Sequence, residues 1–337
     1  MSAASWIADG EKYAVVGLSV KLEGRISSGN VTPHLWVVPD IAFDIPQHWR
    51  EWLGTVRTEE LEDSNLFLLS KIPSSTPGVL DAENPQLLQR VWHFYVGLLL
   101  ASPFAPAHRP VMFSGARQGG VLDIREQQDL QVPIPSLFWP YPPVTVDDIQ
   151  LAAQLGENLS DIGATPPVGG PWRLFKTLHV YTEARTAPDI LDRLHQYSRC
   201  IDGLILPSAG ETKRQFKSRT ELFIGPRHHD MMGEIYDIRS AVEHLHENRY
   251  LEGFDRDTRL DLLKKEAVAE RIARTSLARI VGNSNLWPHF ANTPTLGMFW
   301  TLPEPDRRLA WGPPINPLDA LVDFDPAYIS DGLLGKP

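Results

Sequence analysis

The sequence predicts an α+β chain, in which a mixed amino-terminal domain built on a small sheet precedes an all-α helical bundle. Three observations carry this expectation. Short β-branched and aromatic runs alternate with turn residues over about the first 130 positions, nearly continuous helical periodicity begins after Pro171, and proline-rich breakers separate the two regimes. A chain of 337 residues exceeds what one core usually supports, so two domains are expected, 1–165 and 172–300, with an extended proline-rich tail over 301–337.

In chain order, Tyr13–Leu22 (YAVVGLSVKL) and Leu35–Val38 read as strands, and Asn65–Ile72 (NLFLLSKI) follows an acidic turn as a third. Val111–Ser114 and Val121–Ile124 flank Gly119-Gly120 in the manner of a hairpin. Between them, Pro85–Ala101 sets Leu87, Leu88, Val91, Trp92, Tyr95, Leu98 and Leu99 on one helical face, a helix expected to lie across the sheet. Residues 132–143 (VPIPSLFWPYPP) hold five prolines, which forbid helix and remove strand donors, so the segment reads as an extended connector. A short helix, Val146–Leu155, then leads to a second breaker, TPPVGG, at Thr165–Gly170.

Four to five helices follow. Asp189–Leu206 carries Ile190, Leu191, Leu194, Tyr197, Ile201, Leu204 and Ile205 on one stripe, with Asp189 as its cap. Thr212–Ile224 ends at Gly225-Pro226, and its solvent face carries Lys213, Arg214, Lys217 and Arg219. Asp230–Glu247 and Arg259–Val281 complete the bundle, with Gly282-Asn283 as the last stop.

Composition narrows the function classes. Hydrophobic residues at 42% and charged residues at 22% place the chain among globular proteins rather than disordered ones. The amino terminus lacks a basic segment leading into an apolar run, and Val91–Ala101 is about half the length of a bilayer crossing, so a soluble, cytoplasmic protein without membrane contact is expected. Cys200, the single cysteine, can form no internal disulfide and reads as buried filler. The net charge of −10 argues against a surface that clings everywhere to nucleic acid. Residues 172–300 nevertheless carry 19 basic against 17 acidic groups, so any phosphate contact belongs to the bundle.

The segment Glu234–Glu247 (EIYDIRSAVEHLHE) concentrates the chemistry. Ile235, Ile238, Val242 and Leu245 form an apolar stripe, which frees the opposite face for Tyr236, Arg239, Glu243 and His246. On a straight helix His246 lies about 20° from Arg239, whereas His244 lies about 140° away. The same residues also fit an i, i+4 ion pair between Arg239 and Glu243 with solvated histidines, and both readings stand at this point.

The run YDIRSAVEH, preceded by RLHQYSRCIDGLI and RQFKSRTELFIG, resembles the HEPN domain family, in particular its bacterial Apea- and Abi-like branch. Arg239 and His244 match its R-x-x-x-x-H signature, and Arg239 with His246 fits a longer variant. The resemblance covers 172–300 and says nothing of the amino-terminal domain. It implies a helical bundle that dimerises through the motif-bearing face, and a metal-independent RNA endonuclease or RNA-binding effector of stress or phage defence, with no cofactor. A protein partner or antitoxin is a further expectation of that reading. In that reading Arg239, His244 and His246 are catalytic, because a guanidinium holds phosphate bidentately and an imidazole moves protons near neutral pH. Ser240, Tyr236 and Glu243 line the substrate site, and Lys213, Arg214, Lys217 and Arg219 track the phosphate backbone. The alternative is a non-catalytic HEPN dimerisation or partner-binding module.

Three other patterns carry less. His228-His229-Asp230 places adjacent imidazoles that diverge, so no metal site is expected. Gly115–Gly120 lacks the lysine and following helix of a phosphate loop, and His93 sits within an apolar helix as a satisfied core residue.

Overall fold

The computed structural model describes residues 6–39, 45–134, 142–165, 173–243, 253–322 and 324–329. Two compact units divide the chain, 1–133 with 141–164 and 134–140 with 165–337. Most of the expected connector, the TPPVGG breaker beyond Thr165, Trp172 and the final residues of the expected tail lie outside the described residues.

The first unit is a six-stranded antiparallel sheet of β1 (Glu11–Leu18), β2 (Gly29–Asn30), β3 (Trp36–Pro39), β4 (Leu66–Pro73), β5 (Val111–Gln118) and β6 (Val121–Asp129), in the order β2-β3-β4-β1-β5-β6. β1 is central, with Val15 opposite Leu69 on one side and Phe113 on the other. Helices cover both of its faces, which explains why its sequence is a nearly unbroken apolar run instead of an alternation.

One face buries Tyr13 and Val15 among Trp6, Phe67 and Phe113. Helix α1 (Gln47–Glu62) closes that core with Trp49, whose ring stacks on Tyr13 at 6.3 Å. This helix is a correction, because the residues ahead of β4 read only as an acidic turn. Gly54 (φ 76°) kinks it midway, and so few of its residues are apolar that periodicity gives no signal.

On the other face lies α2 (Glu83–Ala101), which crosses β1, β4 and β5 as expected. The side chain of Lys12 is fully buried there, and its ammonium meets Asp81 at 2.6 Å and Glu83 at 2.8 Å beside the amino terminus of α2. That contact holds the Asp81 carboxyl down at about 2.

The third helix, α3 (Val146–Ala164), continues well past its expected end at Leu155. Gly156, just past the expected end, is a packing residue: a Cβ there would lie 2.9 Å from the backbone of Phe94, and one on Gly97 would lie 2.2 Å from the carbonyl oxygen of Ala152. The two helices therefore touch backbone to backbone.

The second unit contains α4 (Arg173–Thr186), α5 (Ile190–Ile205), α6 (Thr212–Ile224), α7 (His229–Glu243), α8 (Arg256–Gly282), α9 (Trp287–Phe290), α10 (Thr293–Thr301) and α11 (Glu304–Trp311). The caps follow the sequence signals. Asp189 accepts from the amides of Leu191 and Asp192, and α6 stops at Gly225 (φ 81°). The tail is a further correction: Pro303 and Pro305 open α11 instead of preventing it, and Trp311 is buried 4.4 Å from the ring of Phe223. Among the described residues, no helix is long and apolar enough to cross a membrane.

The center of this bundle is charged. Glu266 and Glu270 project from α8, where Glu266 accepts from Arg193 at 2.9 Å. Glu270 accepts from Tyr181 at 2.9 Å and from Arg274 at 2.9 Å, with Arg185 at 3.5 Å. Arg185 and Glu266 have no exposed surface, so each charge depends on its partners for solvation.

Candidate functional site

Arg239 is held in a seam between α5 and α7. Its Nη2 lies 3.1 Å from Asp202 Oδ2, and its Nη1 lies 3.1 Å from Glu243 Oε2. The guanidinium also rests over the ring of Tyr236 at 5.4 Å. That ring is fixed in turn by Phe216 at 5.5 Å and by a 2.6 Å hydrogen bond between its hydroxyl and that of Thr212. Ser240 is half-buried on the next position of α7. His244 and His246 lie outside the described residues.

The Arg239–Glu243 pair foreseen from i, i+4 spacing is thus present, and Asp202 joins it from α5. Asp202 and His195 are the residues that the sequence reading missed. With Asp192 and Arg199 they occupy positions i, i+3, i+7 and i+10 of α5, one polar stripe. The apolar stripe of the same helix is the stronger periodic signal.

The electrostatics of the seam are unusual. Burial pushes the Asp202 carboxyl up to about 6, and Arg239 offsets only part of that effect. Burial likewise lowers the His195 imidazole. Asp202 Oδ1, His195 Nε2 and Arg239 Nε are all buried without a hydrogen-bond partner among the described residues. Unsatisfied polar atoms are costly in a low-dielectric interior, so three of them in one seam mark a place where a polar ligand or proton transfer has something to act on.

The basic face of α6 is largely neutralised. Lys213 pairs with Asp237 at 2.7 Å, Arg214 with Glu211 at 2.5 Å and Lys217 with Asp230 at 3.4 Å. Arg219 donates to the carbonyl of Ile205 at 2.7 Å at the end of α5 and packs over Trp300 at 5.2 Å. It acts as a helix C-cap here.

His228 accepts a hydrogen bond from Arg227, while His229 turns to Glu221 at 2.5 Å. The adjacent imidazoles diverge as expected. Among the described residues, no group of three or more metal-ligating side chains converges. Cys200 is buried, which raises its thiol pKa, and His93 is buried with its Nδ1 2.9 Å from Ser160 Oγ.

Compared with protein-family models, curated proteins and solved structures, the chain gives no match.

Proposed function

We propose that residues 172–300 act as a HEPN-type, metal-independent RNA endonuclease or RNA-binding effector, in stress or phage defence, centred on Arg239. The observation that supports this reading is the seam itself, where a guanidinium stands beside a carboxyl whose pKa is pushed up to about 6. A group titrating near neutral pH is suited to proton transfer, and a guanidinium is suited to hold a phosphate.

In the reaction, the 2′-oxygen of RNA attacks phosphorus and its proton passes to a base, while the departing 5′-oxygen takes a proton from an acid. The products are a 2′,3′-cyclic phosphate and a 5′-hydroxyl. Asp202, His195 and the motif histidines His244 and His246 are the acid and base candidates, and Arg239 stabilises charge on the phosphate once Glu243 releases it.

The test is cleavage of end-labelled RNA by the purified full chain, with H244A and R239A alongside. Loss of His244 should reduce the rate by about 10²- to 10⁴-fold. An intact rate in both variants, or no cleavage by the parent chain together with no RNA binding, overturns the reading.

A second reading is favoured by a different observation: Arg239 bridges two carboxylates, and three of the four basic side chains on α6 are already paired with acids. Such a face suits a non-catalytic module that joins two copies of the chain or one protein partner, an antitoxin for example. R239A then alters the oligomeric state measured by light scattering, and no RNA cleavage is seen at any stage.

A further inference from the structure

A cleft of about 310 Å³ opens in the first unit between α2 and α3. Its volume is at the lower end of the range of roughly 300–1,000 Å³ found for small-molecule sites, which suits a ligand on the order of a dozen non-hydrogen atoms. The walls are polar and of opposite sign. Gln86, Gln89 and Arg90 line it from successive turns of α2, and Glu157 and Asp161 line it from α3.

Neither Arg90 nor Asp161 has a hydrogen bond or ion pair among the described residues, although both border the same space. Elsewhere in this unit Arg57 pairs with Glu60 at 2.5 Å. The backbone contacts at Gly97 and Gly156 fix the spacing of α2 and α3, and Thr32 ties Glu157 to the loop before β3 with a 2.5 Å hydrogen bond. At the floor of the cleft, His93 and Ser160 bond across the two helices at 2.9 Å. The spacing of the two helices is therefore fixed, and Arg90 and Asp161 are left for something else to bridge.

We infer that this cleft binds a free basic amino acid, with the carboxylate on Arg90 and the ammonium and side-chain cation on Asp161 and Glu157. One cation facing two anions complements a molecule carrying one anion and two cations. The two glutamine amides supply hydrogen bonds of either polarity to the rest. This inference is independent of the role assigned to Arg239.

Calorimetric titration of the full chain with L-arginine tests it. The expected result is saturable binding, weakened at least about tenfold in R90Q and in D161N and equally weakened when L-argininamide, which lacks the carboxylate, replaces L-arginine. Both substitutions lie at the surface, and thermal melts matching the parent confirm that the variants fold. No saturation up to about 10 mM, unchanged affinity in both variants, or tighter binding of L-glutamate or inorganic phosphate overturns the assignment.

Discussion

Asp202 and Arg239 meet at 3.1 Å, yet the carboxyl of Asp202 stays high, at about 6, because its burial outweighs the attraction of the guanidinium. An acid whose pKa is raised in the folded state stabilises the fold at low pH, where it is protonated in both states. That contribution disappears as pH rises through the folded value. Between about pH 4 and pH 7 the shift corresponds to about 3 kcal/mol. The Asp202→Asn variant should therefore gain stability relative to the parent as pH rises, which urea melts at pH 5 and pH 8 would show. A pH-independent difference between the two proteins would contradict this account.

The Glu270 carboxylate organises the interior of the bundle. Its oxygens accept from Tyr181 and Arg274, and Arg185 lies close by without exposed surface. Replacing Glu270 with Ala removes an anionic partner from buried guanidinium charge and should cost about 3–5 kcal/mol. Removing only the Tyr181 hydroxyl, in Tyr181→Phe, should cost about 1 kcal/mol. Chemical denaturation checks both, and the expected order is the informative part.

How legible this architecture was depends on what each signal reports. Helix α6 begins at Thr212 and ends at Ile224, as read; its end is local, a Gly-Pro stop, whereas no side chain caps its start, where the Thr212 hydroxyl bonds that of Tyr236 instead. Five of the six strands were legible from local β-branched and apolar runs, whereas β2 (Gly29–Asn30) carries none. Pro303 and Pro305 misled because a proline says only that the backbone is unusual there. Whether it breaks a helix or starts one is decided by packing. The charged interior of Glu266 and Glu270, and the seam formed by His195 and Asp202, depend on which helix faces which. In the seam, the sequence motif located Arg239 and Glu243 but not the partners contributed by α5.

Gly97 tests the close approach of α2 and α3. A methyl group there would lie 2.2 Å from a main-chain oxygen, Ala152 O, which cannot move without bending α3. Gly97→Ala should therefore destabilise by about 1–3 kcal/mol, although alanine favours helix by nearly 1 kcal/mol over glycine. A stabilised variant in a thermal melt would show that the helices are less tightly apposed.

His93 makes the complementary prediction at acidic pH. Its imidazole is buried beside Ser160, and burial lowers its pKa to about 4 from the usual 6.5. For a base held neutral in the folded state, stability is fully present above pH 6.5 and is lost as pH falls towards 4, since the unfolded chain takes up the proton first. The shift corresponds to about 3 kcal/mol across that window. His93→Asn keeps a donor near Ser160 but cannot titrate. The variant should then lose less stability than the parent between pH 7 and pH 4 in denaturant melts, and parallel losses in both proteins would mean that His93 is protonated without penalty in the fold.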